Sequence, residues 1–122
     1  MWTIDREHAW ESRFKQYAKN HPNEVFSCFK NLDRLLAALN SGLTLMQCTF
    51  GFFRNEGMDV YRIGQSGIRG AHETRLYIYA EITGTIIHIL TIGDKNTQQN
   101  DINWCHSKAR EIRGEKSENE QK

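Results

Sequence analysis

Two consecutive segments, residues 74–82 and 85–92, constrain the fold of this chain more than any other feature. The first segment alternates in the period of a strand with one buried face, because every second residue is apolar or small. That face carries Thr74, Leu76, Ile78, Ala80 and Ile82. The second segment is apolar on both faces, which is typical of a central strand. Thr83 and Gly84 lie between the segments and predict a tight turn, so we expect an antiparallel hairpin.

The residues before this hairpin predict two helices. Asp5 can cap a helix that ends near Lys19, and a second helix is expected over about residues 24–40. Both segments carry apolar residues at helical spacing, so each needs a surface on which to bury that stripe. A short strand at residues 1–4 and another at residues 60–63 extend the predicted sheet that supplies the surface.

The residues after the hairpin predict a third helix. Asn100 or Asp101 can cap it, and its apolar stripe continues to about Arg113. Residues 114–122 contain no apolar side chain, and such a composition favours a disordered tail. We therefore predict a single domain over residues 1–113 followed by that tail.

The predicted order is strand, two helices, three or four strands, helix. We expect the α+β class, with two N-terminal helices and a C-terminal helix packed on a small, mostly antiparallel β-sheet. The simplest arrangement has two layers, in which all the helices cover one face of the sheet and the other face is concave or solvated.

Composition restricts the function only weakly. The chain has 16 Lys and Arg against 15 Asp and Glu, so its net charge is +1, and binding to a nucleic acid would have to depend on a local basic patch. The three cysteines are widely spaced, which favours buried free thiols over disulfides. The first residues lack the apolar segment of a signal peptide, and no apolar run is long enough to cross a bilayer. We expect a cytoplasmic protein that does not associate with membranes.

The strand beginning at Thr74 brings Arg75, Tyr77 and Tyr79 to one face. Arginine binds phosphate and tyrosine stacks on bases, so this face suits RNA, although Arg and Tyr are also common on ordinary exposed strands. Lys95 lies in the polar loop after the second strand of the hairpin, where functional residues are frequent but where turn residues are equally expected.

The five histidines do not have the spacing of metal ligands on one element, so we expect no metal and no cofactor. His88 follows an apolar face and is interpreted as a hydrogen-bonded core residue. His72 precedes Arg75 in a loop, where a titrating group could reach a substrate.

The second half of the chain resembles the RelE/ParE/HigB toxin superfamily, in particular the group called addiction-module killer proteins. The resemblance covers about residues 59–112. It rests on four motifs: Val60-Tyr61-Arg62, Thr74-Arg75-Leu76-Tyr77, the apolar strand Ile86 to Ile92 followed by Gly93-Asp94-Lys95-Asn96-Thr97-Gln98, and Asp101-Ile102.

The resemblance implies a RelE-like fold and the toxin component of a type II toxin–antitoxin system. Such toxins are typically endoribonucleases that cut mRNA on the ribosome without a metal, and they are held by a cognate antitoxin protein. Two alternatives stay open within the same fold: a gyrase-inhibiting ParE-like toxin and a non-catalytic binding protein.

Carried over by position, the resemblance implies roles for individual residues. Arg75, Arg62 and Lys95 would be catalytic, since cationic groups must hold the pentavalent phosphate. Four further residues would bind RNA: Tyr77, Tyr79, Gln98 and Arg69. The general base is not indicated by position, and His72 and Asp94 are the candidates. The chain departs from the family pattern at Asp101, where RelE has a tyrosine nearby, and at Gly64, where a second lysine would be expected.

Overall fold

The computed structural model describes residues 1–68 and 72–121, with the side chains of the last helix described as far as Gly114. Arg69 lies outside the described residues, so its predicted RNA-binding role has no structural counterpart here. The elements are β1 Thr3–Asp5, α1 Glu11–Asn20, α2 Pro22–Asn40, β2 Phe53–Asn55, β3 Val60–Gly64, β4 Thr74–Glu81, β5 Ile86–Asp94 and α3 Gln98–Gln121. One turn of 3-10 helix, Leu45–Gln47, follows α2.

The five strands form one sheet in the order β1-β5-β4-β3-β2. Strand β1 is parallel to β5, and the other three pairings are antiparallel. The parallel pairing requires the chain to leave the sheet edge and return, because parallel strands cannot be joined by a tight turn. The helices α1 and α2 lie within that connection. The predicted α+β class with a mostly antiparallel sheet is confirmed.

Helices cover both faces of the sheet. Strand β4 alternates so that Leu76, Ile78 and Ala80 join a core with residues of α1 and α2, whereas Tyr77 and Tyr79 join a second core with residues of α3. The α3 stripe consists of Ile102, Cys105, Ala109 and Ile112. The expectation of two layers with one solvated face is therefore wrong. The tyrosine rings supply an apolar surface on the second face, and α3 buries its stripe against it.

The boundaries of the helices differ from those expected. Helix α1 begins at Glu11 rather than directly after Asp5, and α3 begins at Gln98 rather than after Asn100. The backbone of α3 continues to Gln121, past the expected end near residue 113, and Lys122 lies outside the described residues. The domain boundary and the disorder of the tail stay predictions.

All three cysteines are free and buried, as expected from their spacing. Burial raises the pKa of the Cys28 thiol to about 12 and the pKa of Cys48 and Cys105 above the ordinary value. Within the described part of the chain, no helix has the length and apolar character needed to cross a membrane.

Candidate anion-binding site

Three arginines on adjacent strands lie on the face of the sheet against which α3 packs. Arg54 of β2 is directly opposite Arg62 of β3, and Arg62 is in turn opposite Tyr77 of β4. Arg75 lies two residues before Tyr77 and so shares the same face. They contribute to an open cleft of about 210 Å³, here called the arginine cleft, lined by Gly51, Phe52, Arg54, Arg62, Gly64, Gln65, Glu73, Thr74 and Arg75.

The arginines of this cleft are only partly neutralised. The Nε atom of Arg62 lies 3.4 Å from a carboxylate oxygen of Glu56, and its Nη1 donates a hydrogen bond of 2.8 Å to Gln98. Like charges directly opposite one another on neighbouring strands are destabilising, as at Arg54 and Arg62. An anion bound in the cleft would relieve that repulsion.

Arg75 holds the least satisfied polar group of the cleft. Its side chain is 11% exposed, and Nη2 contacts Glu73 at 3.3 Å. The other terminal nitrogen, Nη1, is buried and has no hydrogen-bond partner among the described residues. A buried donor without an acceptor is costly, and a guanidinium nitrogen is best satisfied by an anionic oxygen. Arg75 therefore lines the cleft with a guanidinium whose hydrogen-bonding capacity is incompletely used, and such a group suits phosphate or carboxylate.

Two buried polar side chains of α2 fix one wall of the cleft. Asn31 Nδ2 donates to the carbonyl of Gly64 at 2.8 Å and to Ser66 Oγ at 3.0 Å. Ser27 Oγ donates to the carbonyl of Ser66 and accepts from its N–H, at 3.0 and 2.8 Å. Gln65 lies between the two clamped residues and accepts the N–H of Thr74 at 2.9 Å. The wall is thus tied to α2 rather than free to move.

The two candidate bases contact each other, but they do not line the arginine cleft. His72 Nε2 lies 2.9 Å from Asp94 Oδ2, and the ring of His72 stacks on His21 with centroids 4.4 Å apart. Asp94 is opposite Thr74, whose hydroxyl lies 2.9 Å from that of Tyr17 on α1. This pair therefore belongs to the face covered by α1 and α2, and the alternation of β4 directs Arg75 to the opposite face.

The Asp94 carboxylate serves as a local acceptor. Burial acts to raise its pKa, but the hydrogen bonds from His72 and from the N–H groups of Thr97 and Asn96 outweigh burial and hold the pKa below its usual range. Both of its oxygens are occupied, Oδ2 by His72 and Oδ1 by the N–H groups of Asn96 and Thr97. Asp94 fits the role of a turn residue and partner of His72 better than that of a base.

The remaining predicted site residues divide into two groups. Gln98 reaches the cleft through its bond to Arg62. Lys95 is exposed in the turn between β5 and α3 and does not line the cleft. Tyr77 is fully buried and Tyr79 is 3% exposed, so the expectation that both rings stand on an open face is wrong. In this packing neither ring can stack on a base, because α3 covers them.

Several residues of the resembling motif are structural. Asp101 forms an ion pair of 2.6 Å with Arg13 of α1, and its other oxygen accepts a bond of 2.7 Å from Thr97. His88 is also buried, with its ring nitrogens 3.6 Å from Asp5 Oδ2 and 3.4 Å from Glu81 Oε1. Neither nitrogen makes a hydrogen bond within the described residues, so the expected hydrogen bonding is not found there. No group of three His, Cys, Asp or Glu residues in the described ranges is arranged to hold a metal ion.

Of the residues that line the cleft, only Arg62 and Arg75 were predicted as site residues, and the long polar side chains that the sequence analysis missed are Arg54, Gln65 and Glu73. A signal for Arg54 does exist, because the turn at Asn55-Glu56-Gly57 implies a hairpin in which residue 54 meets Arg62. Strand β2 has only three residues, too few to show an alternating pattern. Gln65 and Glu73 lie in the connection between β3 and β4, for which local sequence carries no pairing rule.

No protein-family model matches this chain, and no curated protein or solved structure matches it either. The architecture defines the class of this protein. It is an α+β protein with a five-stranded sheet between helices and an arginine-lined cleft.

Proposed function

We propose that this chain is an RNA-cleaving toxin of the RelE/ParE/HigB type that acts on mRNA at the ribosome. The observation that carries the proposal is the convergence of Arg54, Arg62 and Arg75 on one cleft, with Arg75 Nη1 buried and without a partner among the described residues. Cleavage of RNA through the ribose 2′-OH creates a doubly charged pentavalent phosphate, and guanidinium groups fixed in advance stabilise such charge.

The chemistry assigned to the cleft needs no bound metal, because the arginines supply the positive charge. Arg75 is the strongest candidate for contact with the phosphate, since it lines the cleft and its Nη1 has no partner among the described residues. Arg62 and Gln98 are already hydrogen-bonded to each other, which orients the guanidinium before a substrate arrives. Lys95 is exposed and does not line the cleft, so we assign it a role in attracting the RNA backbone and no role in catalysis.

One observation favours a second function. His72 and Asp94 contact each other and do not line the arginine cleft, so the base candidates indicated by the sequence do not belong to it. A toxin that binds its target without cutting RNA, such as a gyrase inhibitor, needs no base. The test of the first proposal must therefore separate RNA cleavage from growth arrest.

The test is induced expression in a bacterial host, with sequencing of transcript 5′ ends and measurement of plasmid supercoiling. We expect growth arrest with new 5′ ends inside translated regions, and we expect Arg75→Ala and Arg62→Ala to remove both. Arg110→Ala is the matched control, because that exposed arginine of α3 does not line the cleft and, among the described residues, lies against the sulfur of Met58 at 4.0 Å. Growth arrest with intact transcripts and altered supercoiling would establish the gyrase alternative instead.

The proposal also includes a cytoplasmic location and a protein antitoxin as partner. A short reading frame next to this gene, encoding a DNA-binding motif, is the expected source. Co-expression of that product should restore growth and co-purify with this chain.

A further inference from the structure

The arginine cleft contains a carboxylate among its cationic groups. Glu73 immediately precedes β4 and lines the cleft beside Arg75, with 63% of its side chain exposed. It is the only acidic residue among the described residues that line the cleft. The other nearby acid, Glu56, contacts Arg62 with a side chain that is 18% exposed. Glu73 is therefore the acid that a bound RNA would meet.

We propose that Glu73 is the general base that removes the proton from the attacking ribose 2′-OH, an inference that rests on the proposed function. In this step the proton passes to a carboxylate oxygen of Glu73, and the 2′-oxygen forms a bond to phosphorus. The bond from phosphorus to the 5′-oxygen breaks, and the leaving oxygen takes a proton from solvent water. The products are a 2′,3′-cyclic phosphate and a free 5′-hydroxyl.

The surroundings of Glu73 leave it free to act. Its single polar partner among the described residues is Arg75 Nη2, at 3.3 Å through one oxygen. The second oxygen has no partner in that part of the chain, and the exposed side chain lines a cleft that is open to solvent. A base must lie within hydrogen-bond reach of the proton it removes. A phosphate on Arg75 would place its adjacent ribose close to this oxygen, because Glu73 and Arg75 are already in contact.

The proposal assigns Glu73 more than the role of a counter-ion to Arg75, and Glu73→Gln separates the two roles. Glutamine keeps a side-chain oxygen that accepts the Arg75 N–H, but it does not take up a proton at neutral pH. Since general base catalysis contributes roughly 10²–10⁴-fold, we expect cleavage by Glu73→Gln to fall at least about 100-fold. A residue that only positions Arg75 would tolerate this change.

The experiment uses the full chain and an mRNA translated in a reconstituted system, with cleavage followed by primer extension. Binding is measured separately, with a short RNA whose 2′-hydroxyls are all methylated and cannot attack. We expect Glu73→Gln to bind this RNA with an affinity close to that of the wild type. Glu73→Ala should also lose cleavage, and added formate should restore part of it by supplying a carboxylate to the vacated space. Glu111→Gln is the control, because Glu111 is equally exposed but lies on α3 with Lys108 as its partner.

Three outcomes overturn the inference. Cleavage by Glu73→Gln within a few fold of the wild type shows that no proton passes through this residue. An equal loss of binding and cleavage, without rescue of Glu73→Ala by formate, shows a positioning role. Absence of cleavage by the wild-type chain itself overturns the proposed function, and this result is distinguishable because there is then no activity for the substitutions to remove.

Discussion

The carboxylate of Asp101 occupies the space in which a side chain at Gly93 would lie. A Cβ atom at Gly93 would collide with Asp101 Oδ2 and would lie 2.6 Å from Thr97 Oγ1 and 3.0 Å from Arg13 Nη2. The glycine one residue before the end of β5 is therefore required by the ion pair that joins α1 to the start of α3. This corner of the fold is held together by contacts between α1 and the segment from Gly93 to Asp101.

Gly93→Ala should destabilise the protein. The added methyl group must displace the Asp101 carboxylate from Arg13 and Thr97, and forced overpacking at such sites costs about 1–3 kcal/mol. The measurement is urea unfolding at neutral pH. Gly51→Ala is the matched control, since a Cβ there meets no atom within 4 Å. Equal stability of the two variants would show that the Arg13–Asp101 pair can move at no cost.

Asn31→Leu should weaken the arginine cleft from a distance. Asn31 is 3% exposed, and its amide satisfies the Gly64 carbonyl and Ser66 Oγ. Leucine removes both hydrogen bonds, each of which contributes about 0.5–1.5 kcal/mol, and leaves the half-buried Gly64 carbonyl without this donor. We expect faster hydrogen exchange over residues 64–66 and weaker binding of RNA. The control is Lys30→Leu, on the neighbouring residue of α2. The Lys30 side chain lies over the ring of Phe26 and does not bind residues 64–66. Unchanged exchange in Asn31→Leu would mean that the wall is held by other contacts.

The stability of the protein should depend on Asp94 at acidic pH. Its pKa is held below the ordinary value of 3.8, with hydrogen bonds from His72, Thr97 and Asn96 outweighing the opposing effect of burial. A carboxyl group with a depressed folded-state pKa stabilises the protein above the unfolded pKa. That stability is lost as the pH falls through the folded pKa.

The test compares urea unfolding of the wild type and Asp94→Asn between pH 6 and the lowest pH at which both fold. We expect the wild type to be more stable than the variant at the upper end of this range, and the difference to shrink as the pH drops below the ordinary Asp value. A constant difference across the range would show that the hydrogen bonds of Asp94 do not favour its charged form.

The sequence predicted the hairpin of β4 and β5 and the fold class because alternation and apolar runs are local signals. It did not predict that α3 covers the second face of the sheet. Tyr77 and Tyr79 alternate with the aliphatic residues of β4, and a tyrosine is compatible with both an exposed and a buried position. Only the tertiary packing, with Cys105 and Ala109 of α3 in the same core, decides between the two.

The candidate site was predicted in part. The resemblance implied functional roles for Arg62, Arg75 and Gln98. In the structure, Arg62 and Arg75 line the arginine cleft, and Gln98 binds Arg62. His72 and Asp94 were expected near them because they are close in sequence to Arg75 and Lys95. A shift of one residue along a strand reverses the face, however, and Asp94 is paired with Thr74 rather than with Arg75.

The burial of the two tyrosines leads to a last prediction, which concerns their hydroxyl groups. Tyr77 is fully buried and its hydroxyl has no hydrogen-bond partner within the described part of the chain, whereas the Tyr79 hydroxyl accepts a bond of 2.9 Å from Arg113 Nε. A buried hydroxyl without a partner costs about 1–3 kcal/mol, so Tyr77→Phe should leave stability unchanged or raise it by about 1 kcal/mol. Tyr79→Phe should lower the free energy of unfolding by a similar amount, because Arg113 loses an acceptor. Urea unfolding of the two variants tests both expectations. A marked loss of stability in Tyr77→Phe would reveal a partner for the Tyr77 hydroxyl. If α3 covers Tyr77 during RNA binding as well, Tyr77→Phe should also retain full RNA cleavage.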